Sequence, residues 1–406
     1  MEPSLTQPEC LQIAQKDFGK NATLINYHIK PVSDEKRGFL GEYFTLELQV
    51  KDERKAKVSK TYFIKIPPPE TEDQQDDTRK IFAKETALYR GILSDFSKYS
   101  KTKWKPECFL ARDDILVLED LTAAGYRGLL KGVEPRADHM KLLLANLAAM
   151  HASSIAYELD VGKTIGSQLG DKLFETSILK DLDWFRAGVM GFQAVLSAHP
   201  KYQSSVHQKF IQDNFLKVVE PVYGMVNEST RFKNVLCHRD TWMNNVLFLS
   251  KDENLEHPTK AILVDFQFCR YCPPAIDVTL AIYLNTSPST RSEVVTACLE
   301  WYHRQLTTEL DALDIQVAEH ISFEALLESY SHLKLVSLLY VGAVATWVRL
   351  PSGFLEELQN NDPEKYVKYR TGCRREILLE LIGKDEKFRK YMFDVAEDFM
   401  KVVYKK

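Results

Sequence analysis

The sequence is short of the features that would place it in several large classes. It has no surplus of positive charge, with 53 Lys and Arg against 57 Asp and Glu in 406 residues, so it lacks the basic face that attracts nucleic acid or an anionic membrane. The start, Met1-Glu2-Pro3-Ser4-Leu5-Thr6-Gln7-Pro8-Glu9, has neither the basic opening nor the apolar run of a secretory leader. The expectation is a cytoplasmic protein. No apolar run reaches the roughly 20 residues a bilayer requires; the strongest, Leu335 to Val348, is flanked by Lys334 and Arg349 and reads as a buried core helix, not a membrane insertion. Seven cysteines, an odd number, suit reduced thiols better than a disulfide framework. Cys269 and Cys272 form a lone CxxC with no second pair at finger-like spacing, so they too read as thiols and not as half a zinc site. No repeat or low-complexity tract is present. What remains is a globular composition, 45% hydrophobic and 27% charged, in a chain long enough for two domains.

Two regimes follow one another along the chain. Thr6 and Glu9 have capping-box spacing, with Pro8 in the first turn and Gly19 as a stop, which predicts a short first helix. Runs rich in β-branched and aromatic residues predict strands over Ala22 to His28, Tyr43 to Val50 and Thr61 to Ile66, the second alternating through Phe44, Leu46 and Leu48. Pro67-Pro68-Pro69 ends the third, and the acidic residues Glu70, Glu72, Asp73, Asp76 and Asp77 read as a solvated loop. A helix with Phe82, Glu85, Leu88 and Tyr89 comes next, then strands over Glu107 to Ala111 and Ile115 to Glu119. From Asp138 the periodicity is helical, with Leu143, Leu147, Met150 and Ser154 on one face and later helices near Lys209 to Val226, Ser292 to Leu306 and Phe323 to Val348. The expected fold is α+β and bilobal: a small antiparallel-sheet lobe over 1–121, a mostly helical lobe over 122–406, and a hinge near 119–125.

The chemistry concentrates in Cys237-His238-Arg239-Asp240-Thr241-Trp242-Met243-Asn244-Asn245 and Val264-Asp265-Phe266-Gln267. Phosphoryl transfer needs a carboxylate to aim the attacking hydroxyl and oxygen ligands for Mg²⁺ on ATP. Asp240 suits the first role; Asn245 and Asp265 suit the second. Either motif alone is short enough to arise by chance, as a hydrogen-bonded loop and a strand-end carboxylate. Their order and 25-residue separation, each carboxylate preceded by an apolar strand, match the catalytic and metal loops of kinases. Lys65 stands alone among Phe63, Ile64 and Ile66, a costly place for an ammonium unless phosphates and a carboxylate meet it; Glu85, twenty residues on, is its candidate partner. Their bland readings are a snorkelling lysine and a surface glutamate. Gly38-Phe39-Leu40-Gly41 is a reduced glycine loop whose backbone near Gly41 could cover phosphates. Glu119 and Leu121 fall where the main chain of an extended segment could bind an adenine edge.

With Phe63-Ile64-Lys65, Phe82-Ala83-Lys84-Glu85, Val117-Leu118-Glu119-Asp120-Leu121, Leu147 to Ala152, the 237–245 loop and Val264-Asp265-Phe266-Gln267, the chain resembles the insect ecdysteroid kinase-like family, related to choline and aminoglycoside kinases. The resemblance spans nearly the full length. Arg239 departs from the family's usual His-Gly-Asp at the catalytic loop while keeping the carboxylate and the later Asn, and the glycine loop is also variant. The resemblance implies that Asp277 in Pro274-Ala275-Ile276-Asp277 buttresses the catalytic loop beside His238; the plainer reading is a helix N-cap, and the two roles are compatible. His151 matches a family helix position and reads as a core histidine. The twelve residues from Asp265 to Asp277 are too few for a peptide-binding activation segment, which favours a small hydroxylated acceptor. Tyr283, Trp301, Tyr302, Tyr330, Tyr340, Trp347 and Phe354 would suit an apolar one such as a steroid, if they line a pocket and not the core. The expectation is an ATP- and Mg²⁺-dependent small-molecule kinase. A choline- or aminoglycoside-type kinase, a silent nucleotide-binding pseudokinase and an interaction scaffold are the rivals, and oligomeric state is left open.

Overall fold

The computed structural model describes residues 3–32, 41–68, 75–130 and 133–404. It resolves into two compact units, one of residues 1–164 with 243–269 and one of residues 165–242 with 270–406. The boundary expected after residue 121 falls inside the first.

In the first unit, α1 (Gln7–Phe18) starts at Thr6, whose side chain and that of Glu9 close a capping box, and stops at Gly19 with φ +95°. Strands β1 (Thr23–Pro31), β2 (Glu42–Lys51), β3 (Lys57–Ile66), β4 (Cys108–Arg112) and β5 (Ile115–Glu119) form one antiparallel sheet in the order β1-β2-β3-β5-β4. Alternation decides which face each residue serves. Leu46, Leu48, Val50, Tyr62, Ile64 and Ile66 pack with Cys10, Ile13 and Ala14 of α1, each large apolar side chain contributing roughly 1.5–3 kcal/mol by leaving water. Lys65, out of phase with them, belongs to the other face.

Helix α2 (Gln75–Arg90) brings a correction: Asp76 and Asp77 lie within it instead of in a loop, while Glu70, Glu72 and Asp73 fall outside the described residues. Acidic residues are at home in a first helical turn, so charge alone did not mark a loop. After the extended Ile115–Glu119, residues 121–125 are a run of turns, closed by Tyr126 N–H donating to the Leu121 carbonyl at 2.9 Å and by Gly125 at φ +86°. A second small sheet, β6 (Tyr126–Arg127), β8 (Val246–Ser250) and β9 (Pro258–Leu263), ordered β6-β8-β9, is tied to α3 (Ala137–Val161) by Asn146 Nδ2 donating to the Ala261 carbonyl at 2.7 Å.

The second unit is helical apart from the two-stranded pairing of β7 (Val235–Cys237) with β10 (Arg270–Cys272). The helix expected near Lys209 to Val226 is three pieces, Ser205–Asp213, Phe215–Val219 and Val222–Met225; Pro221, lacking an N–H, cannot continue a helix through the last break. At its centre α4 (Asp183–Ala198) crosses α7 (Phe323–Val348), with α5 (Ala275–Asn285), α6 (Pro288–Asp311), α8 (Arg375–Lys384) and α9 (Glu386–Val403) around them. The approach is close because small residues face it: a Cβ on Gly188 would sit 2.8 Å from the Ala343 carbonyl oxygen, and one on Gly342 2.7 Å from the Phe192 ring. Helix α7 is apolar and long enough to cross a membrane, but every residue from Val336 to Thr346 is buried within the fold.

Arg374, 1% exposed, closes the C-terminal side of this unit with no carboxylate partner among the described residues. Its Nε donates to the Tyr369 carbonyl at 3.0 Å, Nη1 to Thr346 Oγ1 at 2.6 Å, and Nη2 to the Trp184 and Arg370 carbonyls at 3.0 and 3.2 Å. The faces of Trp184, Trp347 and Tyr369 lie 5.6, 5.4 and 5.5 Å from the guanidinium carbon. Burial lowers its pKa to about 10. Arg374→Ala strands four acceptors, at roughly 1–3 kcal/mol for each that stays buried, so denaturant titration is expected to show a loss of about 3 kcal/mol or more. Arg374→Lys should recover less than half of it, since a point charge cannot reproduce the guanidinium fork.

Candidate active site

Lys65 is the organising residue of the first unit. Strand register sets it opposite Tyr43 on β2 and Leu116 on β5, on the face where Tyr43 stacks on Phe63 at 5.4 Å. Its ammonium lies 2.7 Å from Glu85 Oε2 and 2.8 Å from Asp265 Oδ1. Three distant stretches of sequence thus meet at one nitrogen. Burial works against its charge, but Asp265 and then Glu85 outweigh it, holding Lys65 protonated well above the ordinary lysine range. Glu85 is held from both ends, its second oxygen accepting the Phe266 N–H at 2.9 Å. Complete desolvation leaves its carboxyl above the usual carboxylate range, against the pull of Lys65.

Asp265 occupies a left-handed backbone position, φ +69°, uncommon for a residue with a Cβ. The next side chain anchors it: Phe266 is fully buried, edge-on to Tyr89 at 5.7 Å and to Trp104 at 5.8 Å. Its carboxylate is the accessible end of the triad, 24% exposed against 5% and 1% for Lys65 and Glu85, and its Oδ2 also accepts from Gln267 Nε2 at 3.1 Å. Asn245 ends a 3₁₀ turn beside it, its carbonyl accepting the Val264 N–H at 3.0 Å. Asp265 and Asn245 together offer carboxylate and carboxamide oxygens, the donor chemistry that a hard divalent cation takes. At Gly41, a Cβ would stand 3.3 Å from Lys65 Cε and 3.3 Å from the Ile66 carbonyl, so the backbone passes close over the lysine; Gly38 to Leu40 lie outside the described residues.

Glu119 pairs with Lys103 at 2.6 Å, and its N–H donates to the Glu107 carbonyl at 2.8 Å. Leu121 is buried against Tyr126 and Ile262. A cavity of about 830 Å³ adjoins this turn, lined in part by Thr61, Lys103, Lys105, Glu119 and Asp120 but by no member of the Lys65 triad.

In the second unit the loop after β7 hangs from one carboxylate. Asp277, fully buried in the first turn of α5, accepts the N–H of His238 at 2.5 Å and of Arg239 at 2.8 Å. It is not the helix N-cap, which is Pro274. His238 Nδ1 accepts the Asp240 N–H at 3.3 Å, and Asn285 Nδ2 donates to the Thr241 carbonyl at 2.8 Å. Arg239 has φ +71° and a buried guanidinium 3.2 Å from Glu175 Oε2. Tyr340 of α7 is buried close enough that desolvation, then the Asp240 charge, push its phenol far up. Tyr283 and Tyr302 are core residues, Tyr283 sharing a 3.2 Å contact with the Tyr330 hydroxyl. Glu175, Gln267 and Arg270 were not singled out from sequence; a lone acid in an irregular loop gives no pattern to read, and Gln267 was visible only as a neighbour of Asp265.

The chain belongs to the ecdysteroid kinase-like family, whose model matches residues 35–315, well over half its length. It is similar to a 4-hydroxytryptamine kinase of Psilocybe cyanescens, 27% identical over 133 residues, 29% of this chain and 34% of that one. The chain therefore matches about a third of that relative's length. Among solved structures it is similar to an ethanolamine kinase of Plasmodium vivax, at 12% identity and TM-score 0.40 over 92% of this chain and 82% of that one. The corresponding figures for a choline kinase of Streptococcus pneumoniae are 12%, 0.37, 91% and 97%.

Lys65→Met would leave Glu85 and Asp265 facing each other without a cation, and breaking such a pair from one side is expected to cost about 3–5 kcal/mol at neutral pH. A carboxyl raised above its ordinary value of 4.5 binds its proton more tightly when folded, so its stability contribution is full below 4.5 and lost as pH rises through the folded value. Lys65 pulls this carboxyl down against its burial, so its removal raises the folded value further, and the deficit of Lys65→Met should narrow from pH 8 to pH 5 in urea titrations. A deficit independent of pH would contradict the triad's electrostatics.

Proposed function

We propose that this chain is an ATP-dependent phosphotransferase acting on a hydroxyl of a small molecule. The observation that carries the reading is the buried Lys65 ammonium held between Glu85 and the accessible Asp265, an arrangement suited to receiving polyphosphate charge at a fixed point. Membership of the family supports it.

In this reading Lys65 binds the ATP phosphates and Glu85 keeps it in place, with backbone near Gly41 above them and main chain at Glu119 and Leu121 at the adenine end. Asp265 and Asn245 are the residues that would hold Mg²⁺, and when bound it offsets negative charge on the phosphates. Asp240 orients the acceptor hydroxyl and takes its proton; the acceptor oxygen bonds to the γ-phosphorus as the bond to the β,γ-bridging oxygen breaks, and ADP leaves. Asp277 and His238 fix the loop bearing Asp240 through the backbone bonds given above.

For the acceptor we favour an apolar molecule bearing a hydroxyl, an ecdysteroid-like steroid or a hydroxyindole. The short interval from Asp265 to Asp277 leaves little chain to seat a peptide. The seven cysteines are all unbonded, which suits a reducing compartment such as the cytoplasm.

The test is ATP turnover with Mg²⁺ across hydroxysteroids, hydroxyindoles, choline and aminoglycosides, with phosphorylated product identified by mass. Asp240→Asn is expected to lower kcat by about 10²–10⁴-fold with ATP binding retained. Absence of ATP binding by the wild type would sink the roles given to Lys65 and Asp265, and turnover unaffected in Asp240→Asn would sink that of Asp240.

A further inference from the structure

Arg239 sits where its backbone should resist. Its φ of +71° is in the left-handed region, where a Cβ crowds the following carbonyl and glycine is the natural occupant. The long side chain is nevertheless buried to 1% exposure, with Nη1 3.2 Å from Glu175 Oε2 and 3.4 Å from the Val226 carbonyl.

Glu175 is built to receive it. Its Oε1 accepts the N–H groups of Thr176, Ser177 and Ile178 at 3.1, 2.9 and 3.0 Å, and the Ser177 hydroxyl at 2.9 Å. These contacts fix the carboxylate from its own turn, leaving Oε2 for the two guanidinium groups. The second, Arg270, has its Nε 3.7 Å from Oε2 and donates to the Leu173 carbonyl at 2.5 Å and to Asn227 Oδ1 at 2.7 Å. Arg270 is also the strand partner of Cys237, the residue before His238. Burial opposes charge on Glu175, but Arg239 and Arg270 together hold its carboxyl down to about 2, so it stays ionised at any working pH. One preorganised anion thus ties the residue preceding Asp240 to the strand beside that loop.

We infer that Glu175 is a positioning residue for phosphoryl transfer, acting through Arg239 to keep the loop carrying Asp240 in a left-handed shape that the arginine backbone would otherwise leave. The inference rests on the reading of Asp240 as the group that aims the acceptor. A buried ion pair that merely stabilises the unit would lower the melting temperature while leaving kcat of the folded fraction alone. A positioning pair changes kcat at constant ATP affinity, because small displacements of an aiming group are amplified in the rate.

The experiment compares the full chain with Glu175→Gln, Arg239→Ala, Arg239→Gly and the Glu175→Gln/Arg239→Gly double variant. It measures kcat and KM for ATP, and hydrogen exchange over residues 235–242. Glu175→Gln is expected to lower kcat about tenfold or more with KM for ATP within about twofold of wild type, and to speed exchange in this segment. Arg239→Gly should keep about tenfold more kcat than Arg239→Ala, since glycine adopts the left-handed shape without an anchor. Adding Glu175→Gln to the glycine variant should cost less than adding it to wild type. If Glu175→Gln does not fold, the alanine and glycine variants carry the comparison. Wild-type kcat and exchange in Glu175→Gln, or equal losses in the alanine and glycine variants, would overturn the inference. A wild type that binds no ATP, yet shows the exchange differences, would overturn the phosphotransfer reading while Glu175 still held the loop through Arg239.

Discussion

A lysine in a mostly apolar strand is tolerable only if its charge is met, and this requirement reaches across the whole first unit. Lys65 is met by Glu85 from a helix and by Asp265 from the turn after β9, so strand, helix and turn must be correctly assembled before the ammonium is compensated. Two carboxylates for one ammonium leave negative charge over, and it lies toward the accessible Asp265 end. The same array that satisfies the lysine therefore leaves oxygen atoms able to take up a cation. Structure and proposed chemistry draw on one set of contacts, because the charge that is costly to bury is the charge that a polyphosphate and its metal would use.

The second unit meets a different constraint with related means. There the difficulty is the backbone: the loop from His238 to Trp242 has a left-handed residue and N–H groups removed from water. Asp277 takes two of those N–H groups from the first turn of α5, where its charge also suits the helix end. Glu175 compensates the buried guanidinium that follows from having arginine at this point. In both units a fully desolvated carboxylate binds segments far apart in sequence, and main-chain donors share the work with cations.

Much of this was legible in the order of residues. Alternating Phe44, Leu46 and Leu48 marked a strand with one buried face, Thr6 with Glu9 marked a helix start, and lone Lys65 among apolar neighbours marked a charge in need of partners. The interrupted helix between Lys209 and Val226 and the coiled turn after Asp120 were less legible, since their course depends on Pro221 and on bonds such as Tyr126 N–H to the Leu121 carbonyl. Helix α2 swallowed two acids read as loop because local charge is compatible with either state.

Periodicity, capping and motif spacing by themselves determined the α+β character, the strand carrying Lys65 and the two carboxylate loops, because each is written in residues close together along the chain. Only tertiary structure decided which oxygens face the Lys65 ammonium, that Asp277 holds the loop by its backbone, and that Glu175 is the counter-charge of Arg239. Those partners stand 20 to 200 residues apart, and burial, which sets what an ion pair is worth, exists only once the chain has folded around them.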